Sequence, residues 1–194
     1  MSRNAVLCRT WSSWQLPNEV LSDRLVRDRI ETRDFEEPFT VAVGEGLGPD
    51  VKGIVPEYVL TFSIYGVGAA LLDTHGSTIY AYDWGPQDDE YREPYFLENI
   101  IASRYPDESE FYEVDEAVAT VQFVIHPDGT GNEDITIGNS PRQLRDFTHL
   151  DLTAPGWWQD PPVFGEWDRF GRPTIRDHLP QQIRDTITRI RTNA

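Results

Sequence analysis

Lysine and cysteine are almost missing from the sequence, which contains a single Lys52 and a single Cys8 beside 16 arginines. One cysteine excludes an intramolecular disulfide and a cysteine-based zinc cluster. No apolar run approaches the length of about 18 residues that an ordinary transmembrane helix needs. The N-terminal residues also lack the long apolar segment of a secretory signal peptide. We therefore expect cytoplasmic synthesis and no membrane partner.

Basic residues are also in deficit, because 33 aspartates and glutamates outnumber 17 lysines and arginines and give a net charge of −16. This charge opposes binding to nucleic acid and to anionic membranes, and we expect no direct sequence-specific contact with nucleic acid. An acidic chain that has almost abandoned lysine resembles the proteins of extremely halophilic archaea and their viruses. In molar salt, screening makes such a surface tolerable. The alternative is an ordinary acidic protein from a GC-rich genome.

The most apolar part of the chain is residues 55–84. Its first half places Tyr58, Leu60 and Phe62 on one face of a strand, and its second half alternates aromatic residues from Tyr80 to Trp84. Alternation with period two, together with aromatic and β-branched enrichment, is typical of half-buried antiparallel strands. The pattern predicts two strands joined by a tight turn, and this hairpin is the predicted core.

The remaining segments predict an α+β fold, with one antiparallel or mixed sheet, helices packed on one of its faces and an irregular strap. Helices are expected where apolar residues recur at helical spacing or where proline and a capping box mark a helix start. The predicted helices are about 17–33, 94–104, 140–147 and 179–192, and the further strands are about 39–43, 117–126 and 134–138.

Three parts of the chain follow from these elements. Residues 1–16 form an N-terminal arm without a clean period, and residues 17–147 form the α+β core domain. Residues 148–194 contain a strap rich in tryptophan, proline and glycine, followed by the last helix, both packing on the core. The strap composition excludes a long regular element.

Residues with catalytic or metal-binding chemistry are scattered without diagnostic spacing. His126 with Asp128 and His149 with Asp151 each make an H-x-D pair, but no third metal ligand stands at a characteristic distance. Residues 127–134 have oxygen ligands at alternate positions and depart from the calcium-loop pattern, because Glu133 replaces its glycine. We predict no cofactor, no metal and no catalytic residue. Ion binding by His149 and Asp151, or by the 127–134 loop, stays open.

Aromatic residues and interrupting glycines are the candidates for intermolecular contacts, because interfaces favour aromatics and arginine. Gly66 and Gly68 lie near the end of the first hairpin strand, as at a bulge or a close backbone approach. The alternative for the tryptophans is that they complete the core of a monomer. The interface candidates are Trp11, Trp14, Gly66, Gly68, Trp157, Trp158 and Trp167.

The order of elements offers one resemblance. The predicted helix at 18–33 precedes the proline-led segment Val55-Pro56-Glu57-Tyr58-Val59-Leu60, and strands around Tyr80 and Val121 follow. This order resembles tail-completion and tail-terminator proteins of long-tailed viruses. With the acidic composition, the resemblance implies a neck or tail component of a haloarchaeal tailed virus, which would form a ring by heterologous subunit contacts and enter virions.

We therefore expect a non-enzymatic structural or assembly protein, a homo-oligomer that also contacts other structural proteins. Two alternatives belong to other classes. One is a small soluble enzyme or ligand-binding protein of a halophile, with its site between the hairpin and the strap. The other is an acidic inhibitor or immunity protein that neutralises a basic partner by charge.

Overall fold

A computed structural model describes residues 3–11, 17–50 and 53–192 of the protein. One antiparallel sheet of eleven strands dominates these residues. The strands are β1 Arg3–Thr10, β2 Asn18–Val20, β3 Phe39–Glu45, β4 Tyr58–Ser63, β5 Gly66–Leu72, β6 Thr78–Gly85, β7 Tyr95–Arg104, β8 Ala119–Ile125, β9 Gly131–Ile137, β10 Gln143–Phe147 and β11 Trp158–Gln159. The helices are α1 Asp23–Thr32, α2 Asp168–Gly171, α3 Ile175–His178 and α4 Gln181–Thr192, with a 3-10 turn at Val114–Glu116.

The sheet is a meander, because each strand from β3 to β10 pairs with the next strand in the chain. The order across the sheet is β10-β9-β8-β7-β6-β5-β4-β3-β1-β2. Only α1 interrupts this pattern, since it carries the chain from β2 back to the other side of β1. The two-residue β11 pairs with the first residues of β7, beyond the end of β8.

One face of this sheet, which we call the covered face, carries the main core. Its strands contribute alternating apolar residues, among them Phe39, Phe62, Tyr82 and Trp84. Helix α4 packs across β7 and β8, and α2 packs across β4 and β5. The core is sealed by the buried helix residues Val26, Ile30, Phe170, Ile175, Ile183, Ile187 and Ile190. No helix in the described ranges is both long enough and apolar enough to cross a membrane.

The predicted α+β class is wrong, because the protein is a large antiparallel sheet with few and mostly short helices. The main error lies at 94–104, where the predicted helix is β7, the longest strand. Phe96, Leu97, Ile100 and Ile101 fit helical spacing, but strands on both sides pair with β7 and its residues are buried from Tyr95 to Leu97. A short apolar run fits either a buried strand or a helix segment.

Two further predicted helices are corrected. Residues 140–147 contain the edge strand β10, since Gln143 of the expected capping box is the first residue of a ladder with β9 and pairs with Ile135. The first helix begins at Asp23 and not near Pro17, because Asn18–Val20 pairs with β1 and Ser22 caps the helix by accepting from the Leu25 amide. Tertiary pairing overrides the local signal in both segments.

The predicted two-strand hairpin of residues 55–84 is a three-stranded meander of β4, β5 and β6. Its first turn lies at Ile64 and Tyr65, where Gly66 adopts a φ of 123°. Its second turn is closed by Asp73, whose carboxylate accepts hydrogen bonds from the His75 and Ser77 amides at 2.8 and 3.0 Å. Strand β5 was not predicted, because its small residues do not show the alternation of apolar and polar side chains by which strands are recognised.

Other predicted elements are confirmed. Strands occupy 39–45 and 119–125, with Val121, Phe123 and Ile125 buried on one face. Helix α4 buries Ile183, Ile187 and Ile190. The strap remains irregular apart from β11 and α2.

Candidate functional site: the open face of the sheet

The second face of the sheet carries no α-helix from β4 to β9 within the described residues, although residues 111–114 lie over one end of it, and it is the candidate site. We call it the open face. Alternation places the smaller residues of each strand on this face while the large aromatic residues point to the core. Two rows of register partners cross it from β4 to β8. The first row is Thr61, Gly68, Asp83, Asn99 and Val124, and the second is Val59, Ala70, Ala81, Ile101 and Gln122.

Apart from Ile101, the residues of these rows line a cleft of about 620 Å³, which we call the open-face cleft. Gly68, Ala70 and Ala81 lie side by side at its centre and give it depth, because they have little or no side chain. Ser63 and Tyr65 stand at the end near the β4–β5 turn, and Tyr65 is 83% exposed. The result is a broad depression with an apolar floor and an aromatic rim.

A ladder of polar side chains runs across the cleft. The Asn99 amide donates to Asp83 Oδ2 at 2.8 Å, and the Gln122 amide donates to Asn99 Oδ1 at 3.1 Å. Each amide orients the next, so the Asp83 carboxylate is held in one direction. Asp83 keeps an exposed surface, but the protein atoms around its carboxylate desolvate it and raise its pKa above its usual 3.8, and the hydrogen bond from Asn99 partly opposes this. A cationic group entering the cleft would favour the ionised carboxylate and so offset the cost of that desolvation.

Two glycines expected at a contact surface line this cleft. A Cβ on Gly66 would overlap the carbonyl oxygen of Trp84, and one on Gly68 would lie 3.0 Å from Asp83 Oδ1. Gly66 therefore serves the turn, whereas Gly68 leaves room beside the carboxylate. Both interface predictions concern partners that the structure does not contain, and they stay predictions.

Glu98 adds a second carboxylate to the cleft. The β6–β7 register shifts between Asp83 and Trp84, so Glu98 has no register partner and forms a bulge. Bulges re-aim side chains, and Glu98 is exposed and lines the cleft. Among the described residues, no arginine lines this cleft and neither carboxylate makes an ion pair. Its electrostatic field is therefore negative.

Trp11 lies at the other end of the open face. It packs against a small second core of Val6, Ala42 and Leu47, and lines an adjoining cleft of about 380 Å³ with Val59 and Ala70. Trp14 lies outside the described residues.

The strap tryptophans are placed on the covered side. Trp157 is fully buried and stacks on Phe96 with ring centroids 6.2 Å apart. Trp167 is half-buried and meets the Phe62 ring edge-on at 6.0 Å. Trp158 is 45% exposed, although its ring lies 4.8 Å from that of Phe96. Trp157 thus completes the core, and Trp158 is the strap tryptophan with a free surface.

A basic feature lies on the covered side, where strand β6 begins. Arg176 of α3 and Arg191 of α4 both lie over the ring of Tyr80, with guanidinium carbons 5.4 and 4.8 Å from its centroid. Tyr80 in turn stacks on Tyr82. We call Arg176 and Arg191 the arginine pair. No local pattern predicts this pair, since the two residues are 15 positions apart on separate helices.

Candidate metal and catalytic residues do not converge in the described part of the chain. No group of three histidine, cysteine or acidic side chains is placed to hold a metal there. Asp128 and Asp151 instead accept hydrogen bonds from the backbone amides and hydroxyls of Thr130 and Thr153, which lower their pKa values. These contacts are local turn bonds. Burial raises the pKa of the Cys8 thiol to about 11, so it is a poor nucleophile.

Comparison of the chain with protein-family models, with curated proteins and with solved structures finds no match.

Proposed function

We propose that this is a non-enzymatic assembly protein that acts through contacts between copies of itself, with the open face as a contact surface. The observation that carries the proposal is the asymmetry of the sheet. One face is closed by helices and the strap, whereas the other retains a cleft of about 620 Å³ with a small-residue floor. Uncovered sheet surface of this kind suits a macromolecular partner.

The polar content of the cleft supports binding in preference to chemistry. The ionisable groups that line it are Asp83, Glu98 and Tyr65, and within the described residues no histidine, cysteine or lysine lines it. The amide ladder of Gln122 and Asn99 holds the Asp83 carboxylate in place. Fixed hydrogen-bonding groups around an apolar floor are the composition of a recognition surface.

A narrower form of the proposal concerns the setting of the assembly. The acidic, lysine-poor composition supports a neck or tail component of a haloarchaeal tailed virus. This narrower form depends on molar salt as the working solvent, in which the charge of −16 is screened.

A second candidate function is the binding of a small cationic or polar molecule in the same cleft. Its volume of about 620 Å³ lies within the range of about 300–1,000 Å³ that is typical of ligand sites. The cleft favours cations, because two carboxylates line it and, in the part of the chain that the structure describes, no basic residue does.

Light scattering of the wild-type chain over a salt series tests the proposal. We expect a discrete oligomer in molar salt that dissociates as salt is lowered, because repulsion between chains of charge −16 grows as screening falls. A monomer at every salt concentration and at high protein concentration would contradict an assembly role. In that case, saturable binding of a small cation would favour the second candidate.

A further inference from the structure

The arginine pair brings two guanidinium groups to one aromatic ring. Many arginines elsewhere meet carboxylates, as Arg9 does with Glu37 and Arg142 with Asp134, while others meet a ring or a backbone carbonyl, as Arg27 does with Phe164 and Arg104 with Ile190. Among the described residues, Arg176 and Arg191 form neither an ion pair nor a hydrogen bond to a side chain. In a chain with 33 acidic and 17 basic residues, two arginines that share one ring and have no ion pair are unexpected.

The geometry of the pair gives it a preferred direction of contact. Both guanidinium groups lie over the ring of Tyr80. That ring stacks on Tyr82, which fixes its position. A stacked guanidinium keeps its hydrogen-bond donors free for a planar carboxylate. Arg176 is exposed and Arg191 half-buried, so both can reach a partner. Asp177 follows Arg176 directly in the sequence, and its charge contributes to raising the pKa of Tyr82.

The open-face cleft has the opposite charge pattern to the arginine pair: its carboxylates make no ion pair with any described residue. Asp83 is held by Asn99 and carries a raised pKa, and Glu98 projects from the bulge of β7. The floor beside them includes Gly68, Ala70 and Ala81, whose small side chains leave room for long side chains. Arginine stems are apolar and can lie on such a floor while the guanidinium reaches the carboxylates.

We propose that the open-face cleft of one copy receives the arginine pair of the next copy, through contacts of Arg176 and Arg191 with Asp83 and Glu98. This inference rests on the proposed function and names the two surfaces that would carry it. The occupant is a second copy of this chain, because the same molecule presents both the unmatched carboxylates and the unmatched guanidiniums. Complementary charge fixes the partner and the register of such a contact.

The positions of the two surfaces make the contact heterologous. Asp83 faces the open side of the sheet, whereas Tyr80 and the arginine pair belong to the covered side. One copy therefore uses different surfaces against its two neighbours, and the contact repeats until it closes into a ring or extends as a filament. A symmetric cleft-to-cleft dimer would bring Asp83 and Glu98 of both copies together and is disfavoured by repulsion.

Salt acts on this contact in two opposing ways. Screening weakens the attraction between carboxylate and guanidinium but also weakens the repulsion between whole chains of charge −16. Contact pairs that exclude water are screened less than exposed charges. Salt also strengthens association of apolar surface such as the glycine and alanine floor. Assembly in molar salt is therefore compatible with a contact that contains ion pairs.

Two double variants test the proposal by light scattering in molar salt. Asp83→Gln with Glu98→Gln disables the cleft, and Arg176→Gln with Arg191→Gln disables the arginine pair. We expect each change to weaken association about 100-fold or more, so that each variant alone is a monomer. When the two are mixed, one intact cleft meets one intact arginine pair. The mixture should then form a species of two chains and nothing larger.

Matched controls separate this result from a general effect of charge. Arg24→Gln with Arg92→Gln removes two exposed arginines, and Glu108→Gln with Glu110→Gln removes two exposed acids. Both controls should retain the wild-type mass, and Arg176→Lys with Arg191→Lys should retain part of the association. Melting temperatures within about 3 °C of wild type establish that each variant is folded.

The outcomes are distinct. An oligomer of unchanged mass in both test variants overturns the two named surfaces but leaves the assembly function in place. Monomeric test variants that stay monomeric on mixing also overturn the heterologous contact. A monomeric wild type overturns the assembly function and this inference with it. A mixture that forms a species of two chains, with both controls at the wild-type oligomeric mass, supports the proposal.

Discussion

The two faces of the sheet are made by the same strands but differ in the size of their side chains. On β4, Phe62 points to the covered face and Thr61 to the open face. On β6, Trp84 is buried while its neighbour Asp83 is exposed. The covered face gains stability from aromatic packing, whereas the open face keeps small and polar residues that contribute little to folding. We infer that the open face is maintained for contact with a partner.

The largest expected effect is on the covered face, at Phe62. Its ring is fully buried and stacks on Phe39 at 4.8 Å and 9°. Phe62→Ala should lower the free energy of unfolding by about 3–5 kcal/mol, because it leaves a cavity in the core. Thr61→Ala, one residue away on the open face, should change it by less than about 0.5 kcal/mol. Urea denaturation of both variants measures the difference, and equal effects would remove the contrast between the faces.

Substitutions of the two strap tryptophans should also differ in their effect on stability, because one is buried and the other is partly exposed. Trp157→Ala should cost about 3 kcal/mol of unfolding free energy, because its ring is fully buried against Phe96. Trp158→Ala should cost about 1 kcal/mol, since nearly half of its surface stays in water. Thermal unfolding followed by fluorescence compares the two, and a larger loss for Trp158 would contradict the placement of the strap.

The β4–β5 turn should tolerate no side chain at Gly66. Gly66→Ala should lower the free energy of unfolding by about 1–3 kcal/mol, because φ is 123° and the new Cβ overlaps the Trp84 carbonyl. Gly165→Ala is the matched control, since its φ of 91° is also positive but nothing lies within 4 Å of its Cβ. If the two variants lose equal stability, the close approach at Gly66 has no energetic weight and only the backbone angle matters.

The smallest expected effect concerns the charge of Asp83. Its pKa is raised in the folded protein, so folding takes up protons and wild-type stability falls as pH rises through that pKa. Asp83→Asn should therefore be the more stable protein at about pH 7, with a smaller advantage at about pH 5. Asp128→Asn should behave oppositely, because hydrogen bonds from Thr130 lower the pKa of Asp128 and its stability contribution is present above 3.8. Urea unfolding at both pH values measures the signs, and a loss of stability in both variants would contradict the desolvation of Asp83.

The sequence predicted part of the fold because some strands and helices carry a complete local pattern. Strand β8 alternates Val121, Phe123 and Ile125, and α4 repeats isoleucine at helical spacing, so each is specified by its own residues. The prediction was wrong at β7 because residues near both of its ends are buried in succession. Continuous burial removes the alternation that distinguishes a strand from a helix. Strand β5 was not predicted because glycine and alanine, which make up much of it, are not typical strand residues.

The candidate site was predictable only in part, for a related reason. Gly66 and Gly68 could be singled out because interrupting glycines mark a bulge or a close approach. The Asp83–Asn99–Gln122 ladder could not, because it joins three strands whose register depends on the whole meander. The arginine pair likewise requires α3 and α4 to meet at Tyr80. Tertiary register, which no local pattern encodes, creates both surfaces.

The central claim is that the open face is a contact surface between copies of the chain. Ala81→Arg tests it most directly, because this half-buried alanine lies in the cleft floor next to Asp83 and a long side chain there would fill the cleft. We predict by light scattering in molar salt that wild type is an oligomer and that Ala81→Arg is a folded monomer with a similar melting temperature. An Ala81→Arg protein that keeps the wild-type oligomeric mass would contradict the claim.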